Sequence, residues 1–188
     1  MKKFSIPALS FLGLALVLGA VLAGESLKSG PQTGDEVPGP FHPLNLTGAS
    51  AGEKHCLYCE NGNNPVAMIF ARDLNEPVTK LIKKIDAATT EHSDARMGSF
   101  VVFLSDDENL QKKAKEVAEK EKIKKCVLSV DNPAGPQSYN VSKDAEVTVV
   151  LYNARNVKAN YAFGKGELDD KGIEKILADV TKILPKTN

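Results

Sequence analysis

Pro65-Val66-Ala67-Met68-Ile69-Phe70-Ala71, followed without a gap by Arg72-Asp73-Leu74-Asn75-Glu76-Pro77-Val78, is the stretch on which the reading of the fold turns. The first half is an apolar run bounded by Asn/Pro and Arg/Asp, the pattern of a strand buried on both faces. The second half opens a helix: Asn75 is placed to cap it, Pro77 is tolerated in its first turn, and Leu74, Val78, Leu81, Ile82 and Ile85 recur at helical spacing. Downstream the alternation repeats. Phe100 to Leu104 is a second buried strand, and Ser105-Asp106-Asp107-Glu108 has capping-box spacing for a helix that turns Leu110, Ala114, Val117 and Ala118 inward. Cys126 to Val130 is a third strand, and Gln137 to Val141 a short helical turn after the loop Asn132 to Pro136. Val147–Tyr152 and Val157–Phe163 flank the turn Asn153-Ala154-Arg155-Asn156 as a hairpin. A last helix then lines up Ile173, Ile176, Leu177, Val180, Ile183 and Leu184.

Upstream, His55-Cys56-Leu57-Tyr58-Cys59 holds a Cys-x-x-Cys pair that can cycle between dithiol and disulfide. Glu60-Asn61-Gly62-Asn63-Asn64-Pro65 follows it and breaks helices, so no helix is expected to begin at the pair. Further back, Gly24 to Pro40 is rich in Gly, Pro, Ser and charge and reads as a flexible tether, with the folded domain expected over 41–188. Residues 1–23 have the layout of an export signal: Lys2 and Lys3, then an apolar stretch from Ile6 to Leu22, with cleavage expected after Ala23. The alternative is an uncleaved anchor, the one route by which the chain would meet a membrane. Export places the chain in a periplasmic or extracellular, disulfide-permissive setting.

Charge excludes one class of partner. The sequence carries 24 basic and 24 acidic side chains, interspersed; without Lys2 and Lys3 the balance is 22 against 24, and nothing recruits nucleic acid. The Lys120 to Lys125 run alternates with acid at the end of a helix and reads as a solvated face. Nucleophile-elbow, phosphate-loop and paired-His zinc motifs are all absent from the sequence, and no cofactor is expected.

Strand–helix units followed by an antiparallel hairpin and a final helix, in a chain with Cys-x-x-Cys, resemble the thioredoxin fold: α/β, a three-layer sandwich with a mixed central sheet and flanking helices. The opening Gly34 to Gly48, the strand at Cys126 and the turn near Tyr139 are similar to the redoxin branch, the peroxiredoxins and TlpA-like exported thioredoxins. That resemblance implies thiol–disulfide chemistry with protein thiols or disulfides as partners. The chain departs from it at two places. The position after the first core strand, where the redoxin cysteine stands, reads Arg72 to Pro77 without Cys, and the position of the cis-proline holds Ala145.

The pair instead precedes the strand, which puts Cys56 and Cys59 near its N-terminal end, away from the carboxyl edge where such folds bind ligands. As an exchange site, Cys56 is the expected nucleophile, activated by the positive charge of Lys54 and His55, and Cys59 the resolving thiol, disfavoured by Glu60. Two other readings stand beside it: a structural disulfide on a non-catalytic binding module, or a zinc or copper site completed by His42 or His92. Tyr58 is expected to pack down, and Cys126 to be a buried core residue.

Overall fold

A computed structural model describes Met1 and residues 27–185. The expected export signal therefore lies, apart from Met1, outside the described residues. Among the described residues no helix is long and apolar enough to cross a membrane.

The strands are β1 (Leu44–Asn45), β2 (Val66–Ala71), β3 (Gly98–Leu104), β4 (Cys126–Asp131), β5 (Val147–Asn153) and β6 (Asn156–Phe163). They form one sheet in the order β1-β4-β3-β2-β5-β6. β4, β3 and β2 run parallel, while β1, β5 and β6 are antiparallel to their neighbours. All six residues of β2 are buried, as an apolar run between two neighbours and two covering layers requires. Period-two alternation then sorts the side chains. Ala67, Ile69, Val101, Phe103, Val149 and Leu151 enter one core layer; Val66, Met68, Phe70, Phe100, Val102 and Tyr152 enter the other.

The first layer is covered by three helices, α2 (Glu76–Glu91), α3 (Glu108–Lys120) and α4 (Asp170–Asp179), the short α1 (Leu57–Asn61) lying on the opposite face. Asn75 caps α2 as expected, accepting from the Val78 amide at 3.1 Å. The helix runs on through Glu91, where the buried Thr89 is bonded to Ser99 at 2.7 Å. The cap of α3 differs from the expected box. Asp107 is the capping residue, accepting from the Asn109 amide at 2.8 Å, while the Ser105 hydroxyl accepts from Asp107 itself. Two acids in a row let the chain start the helix later, where a carboxylate faces the free amides.

The second layer is covered by chain with little helix: Val37, Phe41, α1 and the 3-10 turn Gln137–Tyr139. Phe41 sits 4.9 Å from Tyr139 and 6.1 Å from Phe70, ring centre to ring centre. This corrects the reading of residues 24–40 as a tether, which fails from Ser29 onward. Ser29 is buried and shares a 2.6 Å hydrogen bond with Thr148, and Asn160 donates to the carbonyls of Ser29 and Pro31. Gly34 and Val37 donate to Val157 and Arg155 along the free side of β6. The segment is polar because its backbone, more than its side chains, attaches it. The opposite edge is also covered, since β1 has two residues and pairs on its outer side with Gly52 to His55.

Candidate functional site

Cys56 and Cys59 form a disulfide, Cα to Cα 5.2 Å, on the second face. The pair does open a helix, contrary to the expectation drawn from the residues that follow. Cys56 is the N-cap of α1, and its sulfur accepts the Cys59 amide at 3.1 Å. The helix lasts five residues because Gly62, with φ 55, ends it in a left-handed conformation suited to glycine, donating to the carbonyls of Tyr58 and Cys59. Asn61 closes the turn by donating to Leu57 at 2.8 Å. Gly98 at the start of β3 lets it approach, since a Cβ there would collide with the Asn61 side chain. The site therefore lies at the N-terminal end of the parallel strands, as the position of the pair before β2 indicated.

The two sulfur residues differ in burial. Cys56 is 6% exposed and packs with the core, whereas Cys59 faces solvent. His55 does not supply free positive charge to Cys56, because its Nε2 lies 3.0 Å from a Glu60 carboxylate oxygen. Lys54 is exposed, with its backbone bridged to Leu44. Tyr58 packs down as expected, and the guanidinium of Arg155 lies 5.1 Å over its ring. Sequence reasoning missed Arg155, which reaches the site from the β5–β6 turn almost a hundred positions away. The one signal for it was a large residue where a two-residue hairpin turn favours glycine.

The core layer that holds Cys56 contains two more tyrosines. Tyr139 donates from its hydroxyl to the Gly39 carbonyl at 2.6 Å, and burial pushes its ionisation upward. Tyr152 is fully buried, and its hydroxyl has no partner; burial raises its ionisation further, with Tyr139 and Tyr58 adding to the effect and Arg155 opposing it. Cys126 is a free, buried thiol on the other face, pushed up to about 12 by desolvation.

Among the described residues no group of three or more His, Cys, Asp or Glu side chains is arranged to hold a metal ion. His42 is exposed near the start of β1, and His92 ends α2.

At the opposite, carboxyl end of the parallel strands, Arg72 fills the place where the redoxin resemblance would put a cysteine. Its guanidinium donates to the carbonyls of Ala145 at 3.1 Å, Pro133 at 2.7 Å and Ser142 at 3.1 Å. Burial lowers its pKa, with Asp144 opposing that. The cleft there, about 280 Å³, is lined by three cations and three acids: Arg72, Lys143, Lys165, Asp73, Asp144 and Glu146. Among the described residues no peptide bond is cis, including that before Ala145. This edge is a clamp that joins the end of β2 to two loops, and it carries no cysteine.

No family model matches the chain, and no curated protein does. Solved structures are similar to it over most of its length. A candidate protein disulfide isomerase from Bacteroides thetaiotaomicron superposes with a TM-score of 0.63 at 13% identity, covering 85% of this chain and 96% of its own. A peroxidoxin from Mycobacterium tuberculosis gives 0.58 at 17% identity, covering 82% and 99%. A secreted disulfide oxidoreductase from the same organism, homologous to the Escherichia coli DsbE protein, gives 0.56 at 10% identity, covering 76% and 95%. At these identities the likeness is one of fold.

Proposed function

We propose that this thioredoxin-fold chain is an exported thiol–disulfide exchange protein whose working pair is Cys56 and Cys59. The observation that carries the reading is the asymmetric burial of the bridge: an exposed Cys59 joined to a buried Cys56 that accepts an amide hydrogen bond. The exchange runs in two balanced steps. A partner thiolate attacks the Cys59 sulfur, the Cys56–Cys59 bond breaks, and Cys56 leaves as a thiolate held by the Cys59 N–H. A second partner thiolate then attacks the partner sulfur of the mixed disulfide and releases Cys59. Two electrons pass to the protein and the partner gains a disulfide; run backwards, the same steps reduce a partner.

A metal site is not favoured, since the sulfurs are bonded to each other. A purely structural bridge is weak support, because a four-residue loop removes little entropy from the unfolded chain. Export rests on the first 23 residues and on the secreted disulfide oxidoreductase of the same fold. The partners are protein thiols or disulfides, the class on which oxidoreductases of this fold act.

The test is a redox titration of the protein without residues 1–23, with thiols at positions 56, 59 and 126 counted by mass spectrometry. A potential above roughly −270 mV is expected for an exchange-competent dithiol, and one below about −300 mV would establish a structural bridge. Cys56→Ser is expected to leave the exposed Cys59 able to trap a mixed disulfide, and Cys59→Ser to trap none.

A further inference from the structure

β5 and β6 are joined by Ala154-Arg155, with φ 47 and 63. Both residues are in the left-handed region, where a two-residue hairpin turn favours Asn or Gly. Strain of this kind persists only where the surroundings enforce it, and an observed outlier is a reason to look for a use. The backbone of the turn does not need an arginine. Its bonds, Ala154 N–H to Asn63 and Val37 N–H to the Arg155 carbonyl, are ones glycine would also make. What the strained geometry carries is the side chain. It sets a guanidinium 5.1 Å over Tyr58, which lies inside the four-residue disulfide loop. The Ala154 bond to Asn63 fixes the turn against the chain just after α1. None of the ion pairs among the described residues uses Arg155, whereas His55 faces Glu60.

We infer that Arg155 is a positioning residue for the disulfide, a fixed cation that favours the thiolate released at Cys56 when a thiol attacks Cys59. The inference rests on the exchange reading of the pair. The step itself is unchanged: the partner sulfur bonds to Cys59, the bond to Cys56 breaks, and the electron pair stays on Cys56. A positive charge held over Tyr58, within the loop that the two sulfurs close, favours that product and the transition state leading to it. The reduced form is favoured and attack is faster, with no proton transfer required.

The test uses reduction by dithiothreitol, with rate and equilibrium followed by mass spectrometry, on wild type, Arg155→Gly, Arg155→Met and Arg155→Lys. Arg155→Gly relieves the backbone, so its thermal midpoint is expected to hold or rise, while its exchange rate falls about three- to tenfold and its equilibrium moves toward the disulfide. A tenfold move in that equilibrium is about 30 mV for a two-electron couple. Arg155→Met keeps the cover over Tyr58 without the charge and is expected to fall with the glycine variant; Arg155→Lys is expected to recover most of the rate. The difference between wild type and Arg155→Gly should shrink in 1 M salt, where the screening length is about 3 Å. Exchange by Arg155→Met at the wild-type rate would overturn the inference, assigning the side chain to cover alone. So would wild-type exchange by Arg155→Gly. A wild-type disulfide that dithiothreitol does not open would instead overturn the exchange reading itself.

Discussion

Opening the Cys56–Cys59 bridge should cost the fold little. The bridge closes a loop of only four residues. In the chain-entropy account a loop that short removes about 6 cal/mol/K from the unfolded ensemble, or about 2 kcal/mol at 25 °C, roughly half of what a hundred-residue loop gives. The surroundings do not add much to that figure. α1 keeps its Asn61 bond to Leu57, its Gly62 cap and the buried Leu57 and Tyr58 whether or not the sulfurs are joined. Thermodynamic reciprocity links the same quantity to redox chemistry. If the bridge stabilises the fold by about 2 kcal/mol, the fold favours the bridge equally, which makes the folded pair about 40 mV more reducing than the same pair in the unfolded chain. The assay is urea denaturation with and without dithiothreitol, alongside thermal unfolding. A loss of about 2 kcal/mol, or about 4–8 °C for a chain of this size, is the expected result. A loss above about 4 kcal/mol would refute the reasoning, because the bridge would then be holding the whole Tyr58 layer together.

Two further expectations concern buried groups. Tyr152→Phe removes a buried hydroxyl that has no partner and should stabilise by about 1–3 kcal/mol, whereas Tyr139→Phe strands the Gly39 carbonyl and should destabilise by a similar amount; calorimetry of the two variants gives opposite signs, and a destabilised Tyr152→Phe would show that its hydroxyl is satisfied. Cys126 titrates near 9.0 when unfolded and is pushed up to about 12 by burial, Ser99 opposing and Asp86 adding to the shift. The thiol is neutral in both states below pH 9, so its stabilising contribution is intact there and is lost as pH climbs toward 12, at about 1.4 kcal/mol for each pH unit. Denaturation midpoints of wild type should thus fall more steeply over that window than those of Cys126→Val, and parallel curves would contradict the burial.

The parts of the fold that the sequence made legible are those where one physical requirement dominates. β2, and β3 from Phe100 onward, are apolar because they are covered on both faces, and Asn75 with Pro77 marks a helix start that nothing else in the chain contradicts. α1 was illegible for the opposite reason. Gly62 and Asn63 announce an end to helix, and the five residues before them carry no periodicity; the capping sulfur is a contact that residue preferences do not encode. The covering role of Ser29 to Val37 was hidden as well, since its attachment runs through backbone groups and through Asn160 and Thr148, more than a hundred positions away. The same limit applied at the site: Cys56 and Cys59 were found by spacing, but which of them meets solvent depends on the layer packed above β2.

The cover over β6 also has a kinetic consequence. Its Ser29–Thr148 bond spans 119 positions, and its backbone bonds need β6 to exist before they can form. Contacts of such long sequence separation are slow to close, so the first described segment of the chain is among the last to find its place. Until then β6 presents an open row of amides and carbonyls to other unfinished molecules. Newly made protein is therefore at its stickiest in the interval between hairpin formation and the arrival of Ser29 to Val37, and yield on refolding should depend on concentration during that interval more than on the stability of the finished fold.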